Sequence, residues 1–244
     1  MIDLALKRLD GLDMLAIGPR GANGAGSAAN CTRSALRGRV WKGKASLRAR
    51  ELLAGAPRPS ARSDMAEYLA KAVKAYQDAE GSPGSGHFAP ELALNRLALD
   101  ALTPWEDPGR RDAAVALALH CSQTADQEQA EGVGANALIH PKALLIQHLI
   151  LRSLQEPGDT ARVAVESIAQ AYADATGHVS LKPTEVGSIV ADIESIALLC
   201  CAMALTPAGD DAMKQTGDRL LELTHRLQRG CAPKVEHAEA PAAA

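Results

Sequence analysis

The chain has 244 residues, of which 47% are hydrophobic but only 2% aromatic, and a formal charge of −3. That length suffices for one large domain or two small ones with a sizeable core. Alanine and leucine carry the apolar content and strand formers are scarce, which excludes most β architectures and points to an all-α fold.

The first predicted helix covers residues 2–17 and stops at Gly18-Pro19. Asp3 and Asp10 interrupt this N-terminus, so it does not read as a secretory leader. A glycine-rich run follows, "IGPRGANGAGSAANCTRS", and it raises the question of a phosphate loop. A Walker-type loop needs a lysine before the Ser or Thr, and here Gly26 meets Ser27 directly. The pattern G-x-G-x-x-[GA] is met by Gly24, Gly26 and Ala29. It also needs a first strand and a βαβ unit, whereas the preceding residues read as the end of an amphipathic helix. The run is therefore read as an inter-helix loop.

The second helix is predicted over 28–54, with Leu36, Val40 and Leu47 on one face. Ser63 or Asp64 is expected to cap a third over 64–80, and a fourth covers 89–103. Asp107 before Pro108 opens a fifth over 108–130. The sixth, 138–155, is apolar nearly all round and should be the most buried. Three more follow: from Asp159 to Gly177, from Pro183 to Leu205, and over 208–229. The tail, 231–244, has little to bury and is predicted to be disordered.

The expected architecture is about nine helices in one domain over 1–230, stacked as antiparallel pairs in an α-solenoid, tetratricopeptide-like manner. No apolar run is read as reaching the ~20 residues of a membrane-spanning helix, so no membrane partner is expected. The five cysteines (Cys31, Cys121, Cys200, Cys201, Cys231) are odd in number, and two are adjacent. A reducing, cytoplasmic setting is expected.

The segments "KRLDGLDMLAIGP", "GRVWKGKASL", "YLAKAVKAYQDAE" and "LALNRLALDAL" form an ordered series, closed by "VGSIVADIESIALL". The series resembles the tetratricopeptide-like helical region of bacterial proteins in which such repeats accompany caspase-like CHAT protease domains. The matching positions are Val40-Trp41-Lys42, residues 76–79 and residues 95–98. At 20–37 the glycine-rich run stands where that family has continuous helix. The resemblance implies a helical interaction or sensing region, part of a bacterial defence or signalling system. No protease core is visible.

Charge is uneven. Residues 1–62 hold twelve of the 26 Lys and Arg but only four of the 29 acids. Such asymmetry implies either a basic face for a partner or N-terminal helices docked on an acidic remainder. Within 33–50 stand seven basic residues and no acid, with Arg33, Arg37, Lys44 and Arg48 near one helical stripe and Trp41 among them. This possible basic patch could meet nucleic-acid backbone or an acidic protein.

His120 and Cys121 are adjacent, so on a helix they point about 100° apart and cannot chelate one ion together. His140 and His148 lie eight apart, and the tight pairs preferred by zinc do not occur. No metal or cofactor is expected. Asn95, an amide among leucines, can fix a helix register or grip a peptide backbone. Tyr68, Tyr76 and Tyr172 read as knobs between helices with their hydroxyls at the rim. The function expected is a non-enzymatic scaffold binding a protein or peptide, through backbone bonding by Asn95, carboxylate pairing by Arg96, apolar contact by Tyr76 and charge steering by Lys42. The alternatives are a nucleic-acid binder using the basic patch, and a helical enzyme.

Overall fold

The computed structural model describes residues 4, 6–9, 25–55, 57–81, 88–102, 107–131, 137–152, 154, 158–178, 183–205 and 211–230. Among these there is no strand. A short helical stretch at 4 and 6–9 precedes eight longer helices. These are α1 (Ala25–Leu53), α2 (Ala61–Glu80), α3 (Pro90–Asp100), α4 (Pro108–Ala130), α5 (Ile139–Ile150), α6 (Asp159–His178), α7 (Pro183–Ala204) and α8 (Asp211–Gly230). The all-α class and the number of helices agree with the sequence. Residues 18–24, and with them Gly24, lie outside the described residues, as does the tail 231–244.

α1 starts earlier than its apolar periodicity suggests, at Ala25, so Gly26 and Ala29 are helical. Gly55 closes α1 in the left-handed region, with φ 78°, a conformation that costs glycine little. α4 opens as its sequence predicts: the Asp107 carboxylate accepts the Gly109 N–H at 2.9 Å, satisfying a free amide of the first turn. α2 differs. It begins at Ala61 behind Ser60, and Ser60 Oγ bonds the Asp64 carboxylate at 3.2 Å, so neither Ser63 nor Asp64 stands at the cap.

Consecutive helices pair as expected: α1 packs on α2, α4 on α5 and α7 on α8. The chain then closes on itself. α7 packs against α1, α8 against α6 and α5 against α3. In an open solenoid each repeat touches only its neighbours. Here helices from opposite ends of the chain share one apolar cluster that runs from Ala45 to Leu227. Alanines such as Ala45, Ala49, Ala118, Ala143 and Ala197 are wholly buried and let the helix axes approach. α5 is the apolar heart, with Leu145, Ile146, Leu149 and Ile150 buried, each contributing about 1.5–3 kcal/mol by its removal from water.

Two readings of the sequence change in three dimensions. Leu36 and Leu47 on α1 face solvent. The inward face of α1 carries small and polar residues instead: Gly38, Lys42, Ala45, Ser46 and Ala49. A Cβ added at Gly38 would stand 2.7 Å from the Tyr76 ring, so that glycine gives the ring its place. The second change concerns α7. Val186–Ala204 is long and apolar enough to cross a bilayer by length and composition, contrary to the expectation that no run would qualify. In the fold this segment packs on α8 and α1 and carries Asp192 into an ion-paired cluster.

A candidate ligand cavity where six helices meet

Closing α7 onto α1 brings one polar side chain from each of six helices around a cavity of about 690 Å³. Lys42 comes from α1, Tyr76 from α2, Asn95 from α3, Lys142 from α5, Tyr172 from α6 and Asp192 from α7. The volume falls within the range of small-molecule sites. Ile139, Ile189 and Leu138 supply an apolar wall, and Arg39 and Glu91 stand beside the charged floor.

Asp192 organises the floor. One carboxylate oxygen accepts from Lys42 Nζ, and the other accepts from Lys142 Nζ at 3.0 Å. Lys142 Nζ also donates to Asn95 Oδ1 at 2.7 Å. Burial alone would raise the Asp192 carboxyl, but the Lys42 and Lys142 ammoniums outweigh it and hold it well below the usual carboxylate range. Burial pushes Lys42 below the ordinary lysine value, offset only in part by Asp192. The Asp192 side chain keeps 32% of its surface, and it lines the cavity, so a ligand there would meet it directly.

Beside this floor, Ser46 Oγ donates to the Lys42 carbonyl at 3.0 Å and lies 2.6 Å from Ser195 Oγ. Since a hydroxyl has one proton, Ser195 is the donor of that pair. The two tyrosines differ from these satisfied groups. Tyr76 is 1% and Tyr172 3% exposed, and both line the cavity. Neither hydroxyl bonds a described residue, and burial raises both above the ordinary tyrosine value. They are neutral donors in the cavity lining.

Three of the four residues singled out for partner contact, Lys42, Tyr76 and Asn95, thus share one interior site. They line a cavity to which six helices contribute. Tyr76 is buried between helices and lines the cavity. Arg96 is elsewhere. Its guanidinium bonds Glu80 at 2.8 Å and Asp100 at 3.0 Å, so its carboxylate pairing is internal. Lys142, Asp192 and Tyr172 are the site residues that sequence reasoning passed over.

The basic patch does not form one open stripe. Arg33, Arg37, Trp41, Lys44 and Arg48 are all half-buried. Arg48 pairs with Glu51, and outside the patch Arg39 pairs with Glu91 at 3.4 Å. Trp41 stacks on Tyr68 with ring centres 5.4 Å apart, and Lys44 and Lys71 lie over the rings. Arg39 and Lys42 of α1 meet the later acids Glu91 and Asp192, whereas the Arg48–Glu51 pair lies within α1 itself.

The remaining chemistry-bearing residues are held internally. Cys121 and Cys200 are fully buried, and burial pushes the Cys121 thiol up to about 12. Cys31, Cys121, Cys200 and Cys201 are free thiols. His140 Nδ1 lies 2.7 Å from Ser122 Oγ, but Ser122 is buried and no carboxylate ion-pairs with His140 among the described residues. His120 tilts against Phe88 at 5.6 Å. His148 is lowered by burial. Among the described residues no three His, Cys, Asp or Glu side chains gather as a metal site would require.

Comparison with family models, with curated proteins and with solved structures returns no match. The resemblance to helical regions beside CHAT protease domains therefore rests on its short motifs alone.

Proposed function

We propose that this protein is a non-enzymatic helical binding module for a protein or peptide partner, which inserts a side chain or terminus into the cavity between α1, α3, α5 and α7. The observation that carries this reading is hydrogen-bonding capacity left over at the cavity wall. Tyr76 and Tyr172 line the cavity with hydroxyls that bond no described residue, so a ligand there meets two open donors. A non-catalytic role is supported by what the strongest nucleophiles do. Lys42 and Lys142 are tied to Asp192, and the Ser122 hydroxyl is buried beside His140, with no carboxylate among the described residues ion-paired to the ring.

The test is affinity capture from native lysate, with and without nuclease, using the parent protein and a Tyr76→Phe/Tyr172→Phe variant. A protein retained after nuclease and lost with the variant supports the reading. Recovery that collapses with nuclease overturns it in favour of the basic face of α1. A partner held equally by the variant overturns the assignment to the cavity.

A further inference from the structure

We infer that the group seated in the cavity is a monoanionic carboxylate attached to an apolar body, a reading that rests on the cavity being the binding site. Charge points to an anion. Lys42 and Lys142 face one acid, Asp192, while Arg39 and Glu91 neutralise each other. With all groups ionised the floor carries one net positive charge inside the fold. An uncompensated buried charge is expensive, and one anion removes the deficit. A phosphate monoester, at about −1.5 to −2 near neutral pH, would overshoot it.

Hydrogen bonding narrows the anion to a carboxylate. An ammonium has three N–H donors. Among the described residues Lys142 Nζ uses two of them, on Asn95 and Asp192, and Lys42 Nζ uses one, on Asp192. The Tyr76 and Tyr172 hydroxyls add two neutral donors. A carboxylate has two oxygens with about four acceptor positions and no donor, which matches a donor-rich floor. The wall supplies the apolar requirement: Ile139, Ile189 and Leu138 offer apolar surface to whatever the carboxylate is attached to. A cationic head would meet two ammoniums and a neutral amide would leave the charge unmatched, whereas an anion's repulsion with Asp192, which also lines the cavity, is outweighed by the two ammoniums beside it.

The experiment uses the full chain and a probe series: acetate, 3-phenylpropionate and 4-phenylbutyrate, their matched amides, phenethylammonium and phenyl phosphate. Binding is read by titration calorimetry and by protein-observed NMR. The acids are expected to bind in order of apolar size, each at least tenfold tighter than its amide. The Tyr76→Phe/Tyr172→Phe variant is expected to weaken the acids about three- to tenfold and leave the unfolding midpoint unchanged, because those hydroxyls bond no described residue. Lys142→Met is expected to weaken them further. Equal binding of acid and amide overturns the inference, as does tighter binding of the ammonium or phosphate. Indifference to the tyrosine variant does so too. If a captured protein partner depends on the cavity while none of the acids binds, the carboxylate is wrong and the binding-module reading stands.

Discussion

Replacing Asp192 with Asn should be among the most damaging conservative changes in this protein. The carboxylate holds two ammoniums at once, and Asn keeps the shape while removing the charge. At 3.0 Å from Lys142 the lost attraction is roughly 5 kcal/mol gross for an effective dielectric of about 20, with a similar term for Lys42. Most of it is offset, because both lysines recover some hydration through the cavity and Lys42 can shed its proton. Breaking a buried pair by removing one partner costs about 3–5 kcal/mol in comparable cases, and the partial opening of Asp192 to the cavity puts the expected loss near the lower end, about 3 kcal/mol. Lys142→Met should cost less, about 1–2 kcal/mol, since Lys42 still balances Asp192 while Asn95 and one Asp192 oxygen lose a partner. The double variant should then be better than the sum of its parts by about 1–2 kcal/mol, because removing Lys142 relieves the repulsion between two ammoniums that Asp192→Asn leaves without a counter-charge. Urea unfolding followed by circular dichroism measures all three. A loss under about 1 kcal/mol for Asp192→Asn, or strict additivity in the double variant, would refute the view that this triad is a coupled, buried unit.

Three further outcomes follow from the same structure. Gly217→Ala puts a Cβ against Cys201 Sγ and 2.9 Å from the Ala197 carbonyl oxygen; backbone cannot yield cheaply there, so α7 and α8 should separate and thermal unfolding should show a loss of about 1–3 kcal/mol, whereas an unchanged midpoint would show that this contact is loose. Asp192 is held low in the fold, so its contribution is complete above about pH 5 and is lost as pH falls through the acid range, where the unfolded chain takes up the proton first. Lys42, also lowered, acts in the same sense in a higher window, adding stability as pH rises toward the unfolded lysine value of about 10.4. Denaturation midpoints against pH should show the acid limb flattened by Asp192→Asn; a limb unchanged by that substitution assigns it to other carboxylates. Arg152 has φ 58°, a conformation that strains an L-residue by about 1–2 kcal/mol, so Arg152→Gly should stabilise by roughly 0.5–1 kcal/mol in a thermal melt, and a destabilised variant would mean that the arginine side chain compensates for the strain.

The sequence by itself determined the helices. Alanine and leucine at helical spacing, with Gly and Pro between them, sufficed for eight long elements, and Asp107-Pro108 even placed a cap, because capping and periodicity act within a few residues. Asn95 was legible as an amide among leucines, Tyr76 as an aromatic between helices and Lys42 as part of a basic stretch. Asp192, one of two acids in "VGSIVADIESIALL", and Lys142, the one lysine in "PKALLIQHLI", carried a related signal, for a charge in a buried helix must find a partner. Which partner could not be read. Lys42 and Asp192 are 150 positions apart, and only the packing of α7 against α1 makes them neighbours. The direction in which α1 faces was decided the same way. Leu36 and Leu47 look like its core side, yet Gly38, Ala45 and Ala49 face inward because a close helix contact rewards small residues more than large ones. Local chemistry sets where helices start and stop; the cavity, its charge and its donors exist only once distant helices have met.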